Sequence, residues 1–160
     1  VCSGAALDFS PATVTHGMVS SRRRFRLTDI AQQVVGGFLL AGPFVVTAEV
    51  WQLASEMSAL QGGLAVFLVF AIGYGALYKA DSDRDPDRER EVAGVPIRFV
   101  SLMLVSFGSV AILALVFDAP GTFFADFGVE QGDQLATGAR AIAIGAIFSV
   151  VGAATADTVF

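Results

Sequence analysis

Polar and apolar residues along this chain do not alternate on a short period; they separate into long blocks. Four apolar blocks run from about Ile30 to Leu53, Leu60 to Tyr78, Val95 to Phe117 and Leu135 to Ala156, each close to the ~20 residues that cross a hydrocarbon core as a helix. They are too long for buried strands and lack the inside–outside alternation of barrel strands. The pattern predicts an all-α membrane protein, a four-transmembrane-helix bundle over residues 25–160, preceded by a basic leader, residues 1–24, expected to be disordered.

Composition strengthens this reading. The 160 residues are 54% hydrophobic, include 14 Phe and have a mean hydropathy of +0.67, more apolar surface than a soluble domain of this length buries. The basic residues then set an orientation, because Lys and Arg near span ends favour the cytoplasm. Arg22, Arg23, Arg24 and Arg26 precede the first block, and Lys79, Arg84, Arg88, Arg90 and Arg98 fall between the second and third. The connections at Ala54 to Ala59 and Asp118 to Gln134 contain no base. Both termini are therefore expected to be cytoplasmic, in a multi-pass protein of the cell membrane whose first partner is the lipid bilayer.

The first residues, VCSGAALDFSPATVTHGMVSS, lack the basic start and apolar core of a secretory signal. The printed chain begins at Val1, so translation is expected to start either there on a non-standard codon or at Met18. The single Cys2 and the single His16 both fall in this leader and support neither a disulfide, a metal site nor catalysis. One Lys against nine Arg, ten Asp among fifteen acids and a pI near 4.6 resemble the surfaces of proteins from halophilic archaea.

The connecting segments carry two patterns that need weighing. Asp81, Asp83, Asp85 and Asp87 fall on odd positions, as the first ligands of a calcium loop do. Pro86 stands where that loop needs Gly, however, and Val92 where it needs a bidentate Glu, so a solvated, self-neutralising loop is the better reading. A short helix beginning near Asp85 and Pro86 would end at Gly94 and Pro96. The segment DAPGTFFADFGVEQGDQ joins four acids to Phe123, Phe124 and Phe127, and is expected to lie along the membrane surface with its rings at headgroup level. An acidic vestibule that gathers cations is the sharper alternative.

Inside the spans, Thr137, Ala141, Gly145, Ser149 and Ala153 recur every four residues and line one face of the fourth helix. Small side chains let a second helix approach closely, which makes this face a packing seam, within the chain or in a homo-oligomer. Pro43 removes a backbone hydrogen bond and is expected to bend the first helix. The tripeptide GYG at Gly73 to Gly75 lies in an unbroken apolar run and reads as helix packing, not as an ion filter.

Ionisable residues in the spans are few, and matched depth suggests two pairs, Glu49 with Arg140 and Arg98 with Asp157. An unpaired charge at the bilayer centre costs several kcal/mol, so such residues face the bundle interior and find partners. Trp51, at the rim of the first span, is expected to be an interfacial anchor.

The first span, GGFLLAGPFVVTAEVW, resembles the GGxLxxxPxxxTxEVW signature of a family of uncharacterised integral membrane proteins of bacteria and archaea, filed as a domain of unknown function. The stretch DRDPDREREVAGVPIRFVSLM is similar to the shorter archaeal members. Ala48 stands where a larger residue is expected, and the spans are fewer than in longer bacterial members. The resemblance implies a membrane fold and no activity, cofactor or catalytic residue.

The function expected from these residues is structural or accessory. A small ion or solute transporter using Glu49 and Arg140 is the alternative, and would require Glu49, Thr47, Gln32, Gln33, Tyr74 and Arg140 to share one inward face. A membrane enzyme is least expected, because no His or Cys cluster, nucleophile–base pair or phosphate loop is present. Nothing points to nucleic acid.

Overall fold

A computed structural model describes residues 27–79, 91–92 and 95–159; for Thr28, Tyr78, Lys79, the residues 91–95 and 157–159 it describes the backbone at most. The leader, the run Asp81 to Asp87, and the side chain of Asp157 thus lie outside the described residues. The elements are α1 (Leu27–Val45), α2 (Ala48–Glu56), α3 (Ala59–Tyr74) extended by a π-helical turn (Gly75–Lys79), the two-residue strands β1 (Glu91–Val92) and β2 (Val95–Pro96), α4 (Ile97–Val116), α5 (Ala119–Asp126) and α6 (Gln134–Val159). The strands form a small antiparallel hairpin, Val92 opposite Val95, that leads directly into α4.

Among the described residues, three helical stretches are long and apolar enough to cross a membrane: Ala59–Leu77, Ile97–Val116 and Gln134–Ala156. A fourth is obtained only by joining α1 to α2 across a 78° bend. The chain is therefore a helical membrane-type protein with three to four candidate spans. The first block differs most from expectation: one helix over residues 30–53 was predicted, with its bend at Pro43, whereas α1 carries Pro43 and ends two residues later.

The break falls in the β-branched run Val45, Val46, Thr47, which resists helix through restricted side-chain rotation. Thr47 is extended, at φ −95° and ψ 131°. Its hydroxyl donates to the Phe44 carbonyl at 2.9 Å. The Val45 carbonyl, left without its helical partner, accepts the indole N–H of Trp51 at 2.8 Å. Trp51 is accordingly 2% exposed, a bracket across the bend and not an interfacial anchor.

The other helix starts follow local chemistry. Ser58 and Gln61 form a reciprocal capping box at the start of α3, with Ser58 N–H donating to Gln61 Oε1 at 2.8 Å. The predicted loop between the third and fourth blocks contains α5, entered through Asp118 in the left-handed region at φ 49°. Phe123 and Phe124 of α5 pack on Trp51 with ring centroids 5.7 and 5.6 Å away, so these rings are used inside the chain rather than spread along a surface. α2 and α5 together cover one end of the bundle, the cap end; Asp29, Arg98 and the β-hairpin mark the other, the hairpin end.

α6 is the hub. Half of its apolar window is buried, against 22% for α3 and 33% for α4. Thr137, Ala141, Gly145, Ser149 and Ala153 are all buried within the chain, and Ala143, Ala146, Val150 and Ala154 are buried beside them, so contact extends beyond a single stripe. The closest approach is at Gly36 of α1 and Gly152 of α6. A Cβ added at Gly36 would come within 2.7 Å of the Gly152 carbonyl carbon and 2.8 Å of Ala156 Cβ, so backbone rests on backbone there. Gly37 lies beside Ser149 and Phe44 beside Phe148, which makes α1 antiparallel to α6. Gly62 lies beside Arg140 and Gly73 beside Val150, which makes α3 parallel to α6.

Candidate functional site

Most buried polar side chains of the three-helix junction α1–α4–α6 are arranged as a ladder on the α1 residues Asp29, Gln33 and Gly37. Four-residue spacing puts these on one helix face, about 6 Å apart along the axis. At the hairpin end Arg98 Nη2 donates to Asp29 Oδ2 at 3.1 Å, with Arg98 8% exposed. One turn further in, Ser101 Oγ donates to Gln33 Oε1 at 2.8 Å, and Gln33 is fully buried. The third rung joins all three helices: Ser149 Oγ donates to the Gly37 carbonyl at 3.2 Å and shares a hydrogen bond with Ser109 Oγ at 2.8 Å. Rungs that climb in the same order on α1 and α4 show that these two helices run parallel.

Gly37 is part of this chemistry through its missing side chain. A Cβ there would sit 3.0 Å from Ser149 Oγ and 3.1 Å from Val105 Cγ1, displacing the hydroxyl that uses the Gly37 carbonyl. Ser106, also fully buried, donates to the Leu102 carbonyl of its own helix at 2.7 Å. Among the described residues, no buried side-chain nitrogen or oxygen lacks a hydrogen-bond partner.

Of the residues singled out in the sequence, Arg98 forms a rung, but with Asp29. The side chain of its expected partner Asp157 lies outside the described residues. The second expected pair does not form: among the described residues no ion pair joins Glu49 to Arg140. Matched depth presumed a straight first span, and the 78° bend carries Glu49 off that axis into the exposed first turn of α2, where its charge favours the helix N-terminus. Arg140 is half-buried, its stem lying over Gly62 of α3, where an added Cβ would be 3.1 Å from Arg140 Cγ.

The six polar residues proposed for a transport path do not share a face. Gln33 is fully buried, Thr47 is tied to the Phe44 carbonyl, and Glu49 and Tyr74 are exposed. Between α1, α2, α4 and α6 lies a void of about 10 Å³, lined by Phe44, Val50, Trp51, Val110, Ala114 and Gly145 among others. That is barely one water molecule, in apolar surroundings that offer it no partners. Among the described residues, no group of three or more His, Cys, Asp or Glu is placed to hold a metal ion.

Asp29, Ser101 and Ser109 were missed in the sequence. Asp29 stands just outside the apolar block, and serines in a span are common enough to pass unnoticed. The available signal was the four-residue spacing of Asp29, Gln33 and Gly37. No family model, curated protein or solved structure matches the chain.

Proposed function

We infer that the chain is a four-span integral membrane protein of the cell membrane whose role is structural or accessory, with no conduction path of its own. The observation that carries this reading is the closed ladder. Each rung is satisfied by another helix of the same chain, and the junction around it is packed. A conduction path needs polar groups that face a cavity and exchange partners with what passes. In this reading α1 crosses alone, since its 19 residues reach about 28 Å, and its polar first turns are shielded by pairing with α4.

The arginines before α1 and around the hairpin keep that end and both termini in the cytoplasm, with α2 and α5 capping the outer face. Membership of the resembled membrane family is part of the proposal and rests chiefly on the Gly36 to Trp51 signature. No enzymatic activity, cofactor or nucleic-acid partner is assigned. Reconstituted into liposomes with a pH-sensitive or ion-sensitive dye inside, the protein is expected to give the same flux as protein-free liposomes under a potential or a pH gradient. Flux above that background, abolished by Gln33→Leu, overturns the structural reading.

A further inference from the structure

The described spans contain two arginines, Arg98 on α4 and Arg140 on α6. A guanidinium keeps its charge at any accessible pH, so in a span each needs a counter-charge, acceptors or water. Arg98 has Asp29. Arg140 has no ion-pair or hydrogen-bond partner among the described residues. Glu49, Glu56, Asp118, Asp126, Glu130 and Asp133 all belong to the cap end, and among the described residues none forms an ion pair with it.

Its position is set by the absence of a side chain on the neighbouring helix. Gly62 is buried in the first turn of α3, and an added Cβ would meet Arg140 Cγ at 3.1 Å and Nε at 3.8 Å. The stem therefore lies across α3 one turn from its capped start, and the residue stays partly exposed. Val66, one turn beyond Gly62 on the same face of α3, is 36% exposed, and Ala59 and Ala136, one turn before Gly62 and Arg140 on their helices, are exposed as well. A cation near the end of a span, with exposed apolar surface beside it on both helices, matches one molecule well: a phospholipid, whose phosphate meets the guanidinium while its acyl chains lie along the spans. Dissolved phosphate would gain nothing from that apolar surface and would face an end of the bundle that is otherwise acidic.

We propose that Arg140, laid over Gly62 between α3 and α6, binds the phosphate of a phospholipid in the leaflet at the cap end. The site rests on the reading of α3 and α6 as membrane spans. The full chain in detergent micelles, titrated with dioleoylphosphatidylglycerol and followed by native mass spectrometry, is expected to retain one lipid that Arg140→Gln holds ~fivefold or more weakly. Arg140→Lys is expected to fall between them, because an ammonium offers a point contact and not a fork. Gly62→Leu, which keeps the charge but fills its seat, is expected to weaken retention as well, so the site stays testable if Arg140→Gln does not fold.

Equal retention by the parent and the variants overturns the proposal, as does displacement of the lipid by millimolar inorganic phosphate. A parent dimer that Arg140→Gln converts to monomer also overturns it, giving Arg140 an acid of a second copy instead. Alkaline carbonate extraction of membranes separates the two levels of failure. A chain released into the soluble fraction defeats the span reading, whereas a chain that stays in the membrane and shows no lipid difference defeats the site alone.

Discussion

At the hairpin end Arg98 meets Asp29, Gln33 meets Ser101 one turn further in, and Gly37 meets Ser149 above that, so polar groups on α1 are consumed by α4 and α6. At the cap end Arg140 lies over Gly62 with no ion-pair or hydrogen-bond partner among the described residues, and the closest counterpart of a rung is Trp51, whose indole N–H serves one carbonyl while its rings stack on α5. One end is closed by polar pairs between long helices, the other by aromatic packing of short ones. The difference teaches that a polar residue in a span can be secured in two ways, by a partner fixed in the fold or by what surrounds the protein. Only the first holds helices in register.

The comparison breaks most severely where the helices touch backbone to backbone. Gly36→Leu has no space to enter, and is expected to cost more than ~3 kcal/mol, or to prevent folding, in a denaturation series in mixed detergent micelles. Asp29→Leu comes next, leaving the Arg98 charge in a largely buried place at about 2–3 kcal/mol, less than a fully buried pair because Asp29 is partly exposed. The same assay should show the double variant Asp29→Leu with Arg98→Leu recovering part of that loss; no recovery would mean that the remaining contacts of Arg98 matter more than the pair. Trp51→Phe keeps the ring but orphans the Val45 carbonyl, with an expected loss of about 1–2 kcal/mol. Ser109→Ala removes one of two partners of Ser149 and is expected to cost ~0.6 kcal/mol, the usual size for a polar contact between membrane helices. Arg140→Gln should change stability by less than ~0.5 kcal/mol, since no described residue pairs with it; a loss as large as that of Asp29→Leu would place the two ends in the same class.

Span lengths were legible in the sequence because backbone desolvation forces whole apolar helices, and α3, α4 and α6 begin and end within a few residues of the predicted blocks. The break after Val45 was not read, although Val45, Val46 and Thr47 carried it; Pro43 drew attention because proline is the commoner cause of a bend. The ladder was hidden for a different reason. Which face of α1 meets α4 depends on the parallel arrangement of two helices separated by 51 residues of chain, from Val45 to Ile97, and no local pattern encodes that. The four-residue stripe on α6 was read directly, since small residues are a property of one helix. Pairing by depth presumed straight helices, which is why Glu49 and Arg140 were joined on paper, whereas the bend before α2 leaves no ion pair between them among the described residues.

The place of α6 in the chain has a consequence in time. The helix that α1, α3 and α4 all rest against is made after them, so during synthesis the rungs of Asp29 and Gln33 wait for α4, while Gly36 waits longer still for Gly152. Assembly therefore has an order imposed by covalent sequence, and the helices before α6 must tolerate a period as a loose set. A ribosome stalled before Gln134 would leave a chain whose earlier helices are made but not yet a bundle.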